Sequence, residues 1–317
     1  MTMLPLPLPL PLAAALAALA VVIDRRLGEP RRAHPLVAFG KLAMRIEARF
    51  NTGWRGRLAG ILAWALAVVP PVAIAAWFTT VLPWPLACAL HVALLWFSLG
   101  ARSLRDHIAP IASALERRDL ETARVYTSHV VSRDLTQADE AAVSRAAVES
   151  ALENGNDAIF GALFWFAVAG GPGALAFRLA NTLDAMWGYR TPRYLRFGWA
   201  AARIDDVLNW IPARLTAASY ALLGDTLTAI RCWREQAPRW DSPNAGPVMA
   251  AGAGSLNVRL GGPAVYHGVM EERPALGDGE TARAAHVSAA LRLVERTTLL
   301  WLAVLIVLAF LSVGTHG

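Results

Sequence analysis

Three carboxylates recur at four-residue intervals in the stretch Arg145-Ala-Ala-Val-Glu149-Ser-Ala-Leu-Glu153-Asn154-Gly-Asn-Asp157. On a helix this spacing puts Glu149, Glu153 and Asp157 on one face, with Asn154 beside them. Like charges one turn apart repel, so the row calls for a cation. Carboxylate and amide oxygens are hard donors, and Mg²⁺ usually takes one or two protein carboxylates together with substrate phosphates. A solvated acidic face on an ordinary amphipathic helix has the same spacing. Position weighs against that alternative, because the row runs directly into an apolar segment at Ala158, where an unneutralised carboxylate is costly.

A second polar set follows in Asn181-Thr-Leu-Asp184-Ala-Met-Trp-Gly188-Tyr189-Arg190, then Tyr194, Arg196 and the pair Asp205-Asp206. Ionisable residues flanked by apolar runs pair with one another or mark a substrate path, and an Asp–Arg structural pairing is the equal alternative. Near the C-terminus, Ser242-Pro243-Asn244-Ala245-Gly246 and the stretch from Gly252 to Pro263 read as glycine-rich loops whose amides could close on phosphate. Helix packing and turns use glycine in the same way. No GxxxxGK[ST] occurs and Lys41 is the only lysine, so this is not a P-loop. His34-Pro35 reads as a turn, with no HExxH, nucleophile elbow or His/Cys cluster to support hydrolase or zinc chemistry. Cys88 and Cys232 lack metal or disulfide spacing and read as inert.

The elements that must position these groups are membrane elements. Of 317 residues 56% are hydrophobic and only 17% charged, too apolar for a soluble domain of this size. The chain reads as one integral-membrane domain over residues 1–317, with spans at 58–82, 86–101 and 297–314. Pro70-Pro71 is expected to kink the first of these, and Pro83-Trp84-Pro85 to form the turn after it. Residues 4–23 read as an N-terminal anchor in which prolines restrict the helix to Leu12–Ile23, roughly 18 Å long. The stretch 158–180, interrupted by Gly170-Gly171-Pro172-Gly173, is either re-entrant or a hairpin of two short buried helices. The stretch 207–224, holding Asn209, Pro212 and Arg214, is equally open between spanning and re-entering. Residues 24–57 carry nine basic side chains against three acidic ones, which places that loop in the cytoplasm. Residues 102–157 read as cytoplasmic helices, and 225–296 as a polar loop of balanced charge. The expected fold is therefore all-α, a polytopic membrane helical bundle with broken or re-entrant central segments and cytoplasmic helical loops. Of the 30 basic residues 29 are arginine, which a GC-rich genome would produce, as would selection for guanidinium forks that grip phosphate.

Taken in order, these motifs have a family look. The set Gly28-Glu-Pro30…His34-Pro35, Glu149-Ser…Glu153-Asn154…Asp157…Leu163-Phe164-Trp165, Asn181-Thr-Leu-Asp184…Met186…Gly188-Tyr189, Phe197-Gly198…Asp205-Asp206…Asn209-Trp210-Ile-Pro212-Ala-Arg214-Leu, Ser242-Pro-Asn-Ala-Gly246 and Arg259-Leu-Gly-Gly-Pro263 resembles the cobinamide-phosphate synthase family, often called the CobD/CbiB family. The likeness runs from about residue 20 to about residue 280. Ala162, Glu29 and Pro247 depart from the family pattern, and none of the three removes a charged or amide candidate.

The resemblance implies a bacterial inner-membrane enzyme with its active site on the cytoplasmic side. It would condense adenosylcobyric acid with aminopropanol phosphate or a related amino-alcohol phosphate, using ATP and Mg²⁺. Amide formation from a carboxylate needs activation, most simply as an acyl phosphate, and phosphoryl transfer relies on metal and cationic clamps. On that basis Glu149, Glu153, Asn154 and Asp157 would hold Mg²⁺-ATP. Asp184, Asp205 and Asp206 would serve as further metal ligands or as the base for the amine. Arg190, Arg214 and Arg259 would grip phosphate, with Asn181, Ser242 and Asn244 completing the cofactor contacts. The expected partners are the corrinoid, the amino-alcohol phosphate, the lipid bilayer, and a second copy or other cobalamin-pathway enzymes, with no nucleic acid. A membrane corrinoid transporter or carrier and a non-catalytic membrane sensor are the competing readings.

Overall fold

The structure, a computed structural model, describes residues 8–29, 35–52, 56–266 and 268–314. His34 and residues 4–7 of the expected anchor lie outside them. The protein is all-α, with four helical runs among the described residues long and apolar enough to cross a membrane: Gly56–Val81, Trp84–Glu116, Glu140–Trp187 and Ala284–Val313. The chain divides into two compact units, one of residues 1–100, 161–209 and 302–317, the other of residues 101–160 and 210–301.

The first unit holds α1 (Leu10–Leu27), α2 (Pro35–Phe50), α3 (Gly56–Val81), α4 (Trp84–Ser98), α8 (Gly161–Trp187), the start of α9 (Trp199–Leu223) and the end of α12 (Ala284–Gly314). Helix α1 is longer than expected. Pro11 sits in its first turn, where the missing amide costs nothing, and the helix runs on through Asp24, Arg25 and Arg26 to about 27 Å. In α3, Pro70 and Pro71 lie inside an unbroken run. Its buried positions are mostly small, Ala59, Gly60, Ala63, Ala67 and Ala75 with Val68 and Thr79, while Leu58, Leu62, Leu66, Val69 and Trp77 are exposed. Small residues inside and large apolar ones outside is the inverse of a soluble helix and suits packing in lipid. Gly60 shows how close the packing is, since a Cβ there would lie 1.9 Å from the Phe197 carbonyl oxygen. Helix α4 starts at Trp84 rather than after Pro85, because a proline is tolerated at the second helical position, and it stops at the extended Leu99.

Helix α8 contains the central break. Ala169 and Gly170 leave helical geometry, Gly170 at φ +62°. On a continuous helix Gly161 and Phe177 would be about 24 Å apart. Instead a Cβ on Gly161 would lie 2.0 Å from Phe177 Cζ, and one on Gly173 would lie 2.3 Å from the Trp165 carbonyl oxygen. The chain therefore doubles back at Gly170 into two short helices. The buried His91 of α4 accepts a hydrogen bond at Nδ1 from the Gly171 amide (2.8 Å), satisfying one of the donors that the reversal exposes.

The second unit holds α5 (Ala101–Glu116), α6 (Leu120–Ser128), α7 (Glu140–Gly155), a π-helical turn at Asn156–Phe160, the rest of α9, α10 (Thr226–Gln236), α11 (Ala245–Ser255) and the start of α12. The ambiguous stretch 207–224 is part of α9, a single helix that is not among the four apolar runs. Residues 258–281 hold short strands that the sequence does not announce: β1 (Val258–Gly261), β2 (Ala264–Tyr266), β3 (Val269–Glu271), β4 (Ala275–Leu276) and β5 (Glu280–Thr281). Strand β1 pairs antiparallel with β4 and parallel with β5, and β2–β3 is a separate hairpin. Every residue of α11 is buried. Gly252 meets Leu152 and Gly254 meets Ala229, so these glycines lie in a helix as packing surfaces rather than in a phosphate loop.

Candidate functional site

The acidic row lies on α7 and the π-helical turn, and its members are not equivalent. Glu149 is 2% exposed and its carboxylate is already saturated. Arg133 and Arg273 both donate to it, Arg273 Nη1 at 3.0 Å, and the Gly261 amide donates to Oε1 at 2.8 Å. The cation at this position is thus a pair of guanidinium groups supplied by the chain. Glu153, one turn on, is partly exposed and accepts no hydrogen bond among the described residues. It lies within electrostatic reach of both Asp157 and Glu149. Asn154 is turned back onto its own helix, donating to the Ser150 carbonyl (2.9 Å) and hydroxyl (3.1 Å).

The π-helical turn follows directly. It releases carbonyls from the regular ladder, and Tyr220 of α9 donates its hydroxyl to the Leu152 carbonyl (3.1 Å). Burial pushes the Tyr220 hydroxyl up, so it stays a donor. Thr216 donates to the buried Asn156 Oδ1 (3.0 Å), and Asn156 Nδ2 donates to Asp157 Oδ1 (2.9 Å). Asp157 is thereby oriented through a chain of side chains rooted in α9. Among the described residues no three His, Cys, Asp or Glu side chains converge as a metal cage. Two carboxylates, Glu153 and Asp157, suit Mg²⁺ only where phosphate oxygens and water complete its shell.

Arg214, Ser242 and Asn244 do come together. Arg214 Nη1 donates to Asn244 Oδ1 (2.9 Å) and the Trp210 carbonyl (2.9 Å), Nη2 donates to the Pro243 carbonyl (3.0 Å), and the guanidinium stacks 4.4 Å from the Trp210 ring. Ser242 Oγ accepts from the amides of Asn244 and Ala245 at the start of α11. Most of the Arg214 fork is therefore committed to holding the Ser-Pro-Asn turn. Arg259 is exposed on β1, in register with Thr281, and joins neither group.

In the first unit Asn181 and Asp205 approach, Asn181 Nδ2 donating to Asp205 Oδ1 at 3.5 Å, while Asn209 Nδ2 donates to Oδ2 at 3.1 Å. Asp206 receives Arg203 Nη1 at 3.1 Å and feels Arg190. Burial pushes the Asp206 carboxyl above the usual carboxylate range, against the pull of those arginines. Asp184 needs Gly188, since a Cβ there would lie 2.0 Å from Asp184 Oδ1.

A match to the family described as CobD/Cbib protein covers residues 17–294. The chain belongs to the CobD/CbiB family. It is 57% identical over 291 residues to a Stutzerimonas stutzeri protein named cobalamin biosynthesis protein CobD, covering 90% of this chain and 95% of that one. Proteins of the same name from Chromobacterium violaceum and Mycobacterium tuberculosis are 53% and 42% identical, covering 94% and 84% of this chain and 97% and 86% of their own lengths. No solved structure gives a significant match.

Sequence reasoning missed Arg133 and Arg273 as partners of Glu149, and it gave the Gly261 amide a phosphate where the structure gives it this carboxylate. Arg133, Gly261 and Arg273 are 16, 112 and 124 positions away from it. Helical spacing sees only the first few neighbours, so no periodic signal points to them. Charge counting gives no hint either, since residues 102–157 carry seven arginines against ten acids and residues 225–296 eight against eight.

Proposed function

We propose that the protein is a biosynthetic ligase of the cobalamin pathway, which joins an amino-alcohol phosphate such as aminopropanol phosphate to the free carboxyl of adenosylcobyric acid at the expense of ATP. The observation that carries this reading is family membership over residues 17–294, a span that includes every candidate site residue. The relatives' shared name supplies the pathway. The four apolar runs support a membrane setting, and the arginines ending α1 favour the cytoplasmic side for the following loop.

Oxygen donors are the right chemistry for Mg²⁺, and we assign it to Glu153 and Asp157 together with ATP phosphates, with Glu149 as the residue that positions their helix. Mg²⁺ bound there would neutralise charge on the transferred phosphoryl group. Asn156 and Thr216 keep the Asp157 carboxylate aimed. Asp184 and the Asp205-Asp206 pair are assigned to accept the proton that the attacking amine must lose, and Asp206 with its raised affinity for protons suits that task. Arg214 holds the Ser242–Asn244 turn in shape, and that turn is assigned to orient substrate.

The test is purified protein in detergent with ATP, Mg²⁺, cobyric acid and aminopropanol phosphate, read by product mass and ADP release. The expected product is the corrinoid plus the amine less one water, with ADP formed only when both acceptor and amine are present. The chain reversal at Gly170 keeps one rival alive, since broken apolar helices are also a transporter feature. Corrinoid uptake into vesicles without ATP consumption, and no product mass, would establish that rival instead.

A further inference from the structure

The second unit contains a cleft of about 510 Å³ lined by none of the residues assigned above to metal, nucleotide or proton transfer. Its walls come from the loop before α7, the first turns of α7 and the β2–β3 hairpin, and include Arg133, Asp134, Gln137, Asp139, Arg145 and Pro263. Three observations mark it as a place for an anion. The first concerns Arg145, on the same face of α7 as Glu149 and one turn before it. Arg145 is partly buried, its Nε is fully buried without a hydrogen-bond partner, and the guanidinium makes no ion pair among the described residues. A guanidinium cannot shed its proton, so one held partly out of water with a buried donor unsatisfied favours a ligand that supplies the missing acceptor.

The second observation concerns Arg133, which lines the cleft beside Arg145 and shares the Glu149 carboxylate behind it with Arg273, so that carboxylate is not a counter-charge for Arg133 alone. The third is the use made of the two acids on the rim. Asp139 caps α7 by accepting from the Ala142 amide (2.7 Å), and Asp134 Oδ1 accepts from the Thr136 amide (2.9 Å) and hydroxyl. Each thus spends one oxygen on backbone and keeps negative charge at the rim, several residues away from Arg145. The volume is that of a small-molecule pocket. Gly262, with φ +72°, passes close to Arg145, a Cβ there lying 3.6 Å from Nη1, so the backbone leaves the fork room to turn inward.

We propose that this cleft binds a phosphate monoester, with Arg145 as its charge anchor and Arg133 as its inner wall. The inference rests on the ligase reading for the sources of that phosphate, which are the amino-alcohol phosphate and the nucleotide. The two rim carboxylates favour the former, because a short molecule with a phosphate at one end and an ammonium at the other matches the arginine wall and the acidic rim together, whereas a polyphosphate meets like charge there.

The experiment is calorimetric titration of the full chain in detergent with four probes: aminopropanol phosphate, aminopropanol, inorganic phosphate and Mg²⁺-ATP. Wild-type protein is expected to bind aminopropanol phosphate about tenfold or more tighter than aminopropanol, the scale of one charge-assisted anchor. Arg145→Ala is expected to erase that preference and leave Mg²⁺-ATP affinity unchanged. A loss confined to Mg²⁺-ATP would place the nucleotide phosphate here instead and still support the site. Gln137→Glu adds a negative charge to the cleft at an exposed position, so it should weaken the same ligand with no loss of fold, and it carries the test if Arg145→Ala does not fold. Affinities for every phosphate probe within about twofold of wild type in both variants would overturn the proposal. Binding needs no turnover, so a protein that binds phosphate through Arg145 yet makes no amide would refute the ligase reading alone, and unaltered Arg145→Ala binding in an active ligase would refute the cleft alone.

Discussion

The Glu149 carboxylate and the Gly261 amide, 112 residues apart in sequence, meet at 2.8 Å. With Arg133 and Arg273 on the other oxygen positions, this contact ties α7 to β1 and to the segment after β3. A carboxylate holding two buried guanidinium groups cannot be neutralised cheaply, because removing one partner of a buried ion pair costs about 3–5 kcal/mol. Glu149→Gln keeps an acceptor for Gly261 but leaves both arginines without their counter-charge. The expected outcome is a large drop in melting temperature in detergent, the same with and without Mg²⁺. A variant that melts like wild type but loses its response to Mg²⁺ would show instead that Glu149 is a direct metal ligand.

The hairpin at Gly170 makes a separate prediction at a residue that bears no chemistry. Gly161 and Phe177 face each other so closely that an added methyl would lie 2.0 Å from the ring. Gly161→Ala should destabilise the first unit by about 1–3 kcal/mol, the usual cost of overpacking. Shortening the opposing side chain should relieve it, so Gly161→Ala with Phe177→Leu is expected to be more stable than Gly161→Ala alone in a denaturation series. Equal stability of the single variant and wild type would mean that the two helices are not packed in this way.

These two sites show what the sequence can and cannot disclose. The break at Gly170-Gly171-Pro172-Gly173 is visible as composition, because glycine and proline punctuate an otherwise apolar run. That the two limbs fold back on each other depends on Gly161 meeting Phe177, a tertiary contact with no local signature. The long apolar helices α3 and α12 were legible from length and apolarity, although α12 begins at Ala284, thirteen residues before the uncharged run, since a helix continues through charged residues as long as they can face water. The strands between Val258 and Thr281 are too short for alternation to register. At the site, the spacing of Glu149, Glu153 and Asp157 could be read directly. Their different roles could not, because these depend on distant arginines and on a π-helical turn that Tyr220 and Thr216 support from α9.

Acid should weaken the first unit at an identifiable contact. Glu47 of α2 is buried and is gripped by Arg193 at 3.0 and 2.7 Å, with Asn51 Nδ2 at 2.7 Å. The Arg193 hydrogen bonds hold the Glu47 carboxyl below the usual carboxylate range, while burial opposes them. A carboxyl depressed in the folded state contributes stability that is complete above its unfolded pKa and is lost as pH falls through the folded one. Comparing Glu47→Gln with wild type, the gap in melting temperature should be constant above about pH 5 and close below pH 4. Because Arg193 is 65% exposed, the gap should also shrink in high salt. A gap that widens toward acid pH would reverse the assignment.

Glu153 and Asp157 carry the prediction that bears most directly on chemistry. Both belong to the acidic row beyond the arginine pair on Glu149, and each can offer oxygen to a divalent cation beside phosphate. Their replacement by isosteric amides removes charge but little volume, so Glu153→Gln should leave the melting temperature unchanged or slightly raised as repulsion from Asp157 and Glu149 disappears. Turnover should fall by about 10²-fold or more in each variant, the scale seen when an electrostatic contact to the reacting group is removed. The loss should be partly recovered at higher Mg²⁺ concentration, which a defect in corrinoid or amine binding would not show. Initial rates of ADP release against Mg²⁺ concentration, for wild type, Glu153→Gln and Asp157→Asn, decide the matter. Full activity with an unshifted Mg²⁺ requirement in both variants would remove the acidic row from the mechanism.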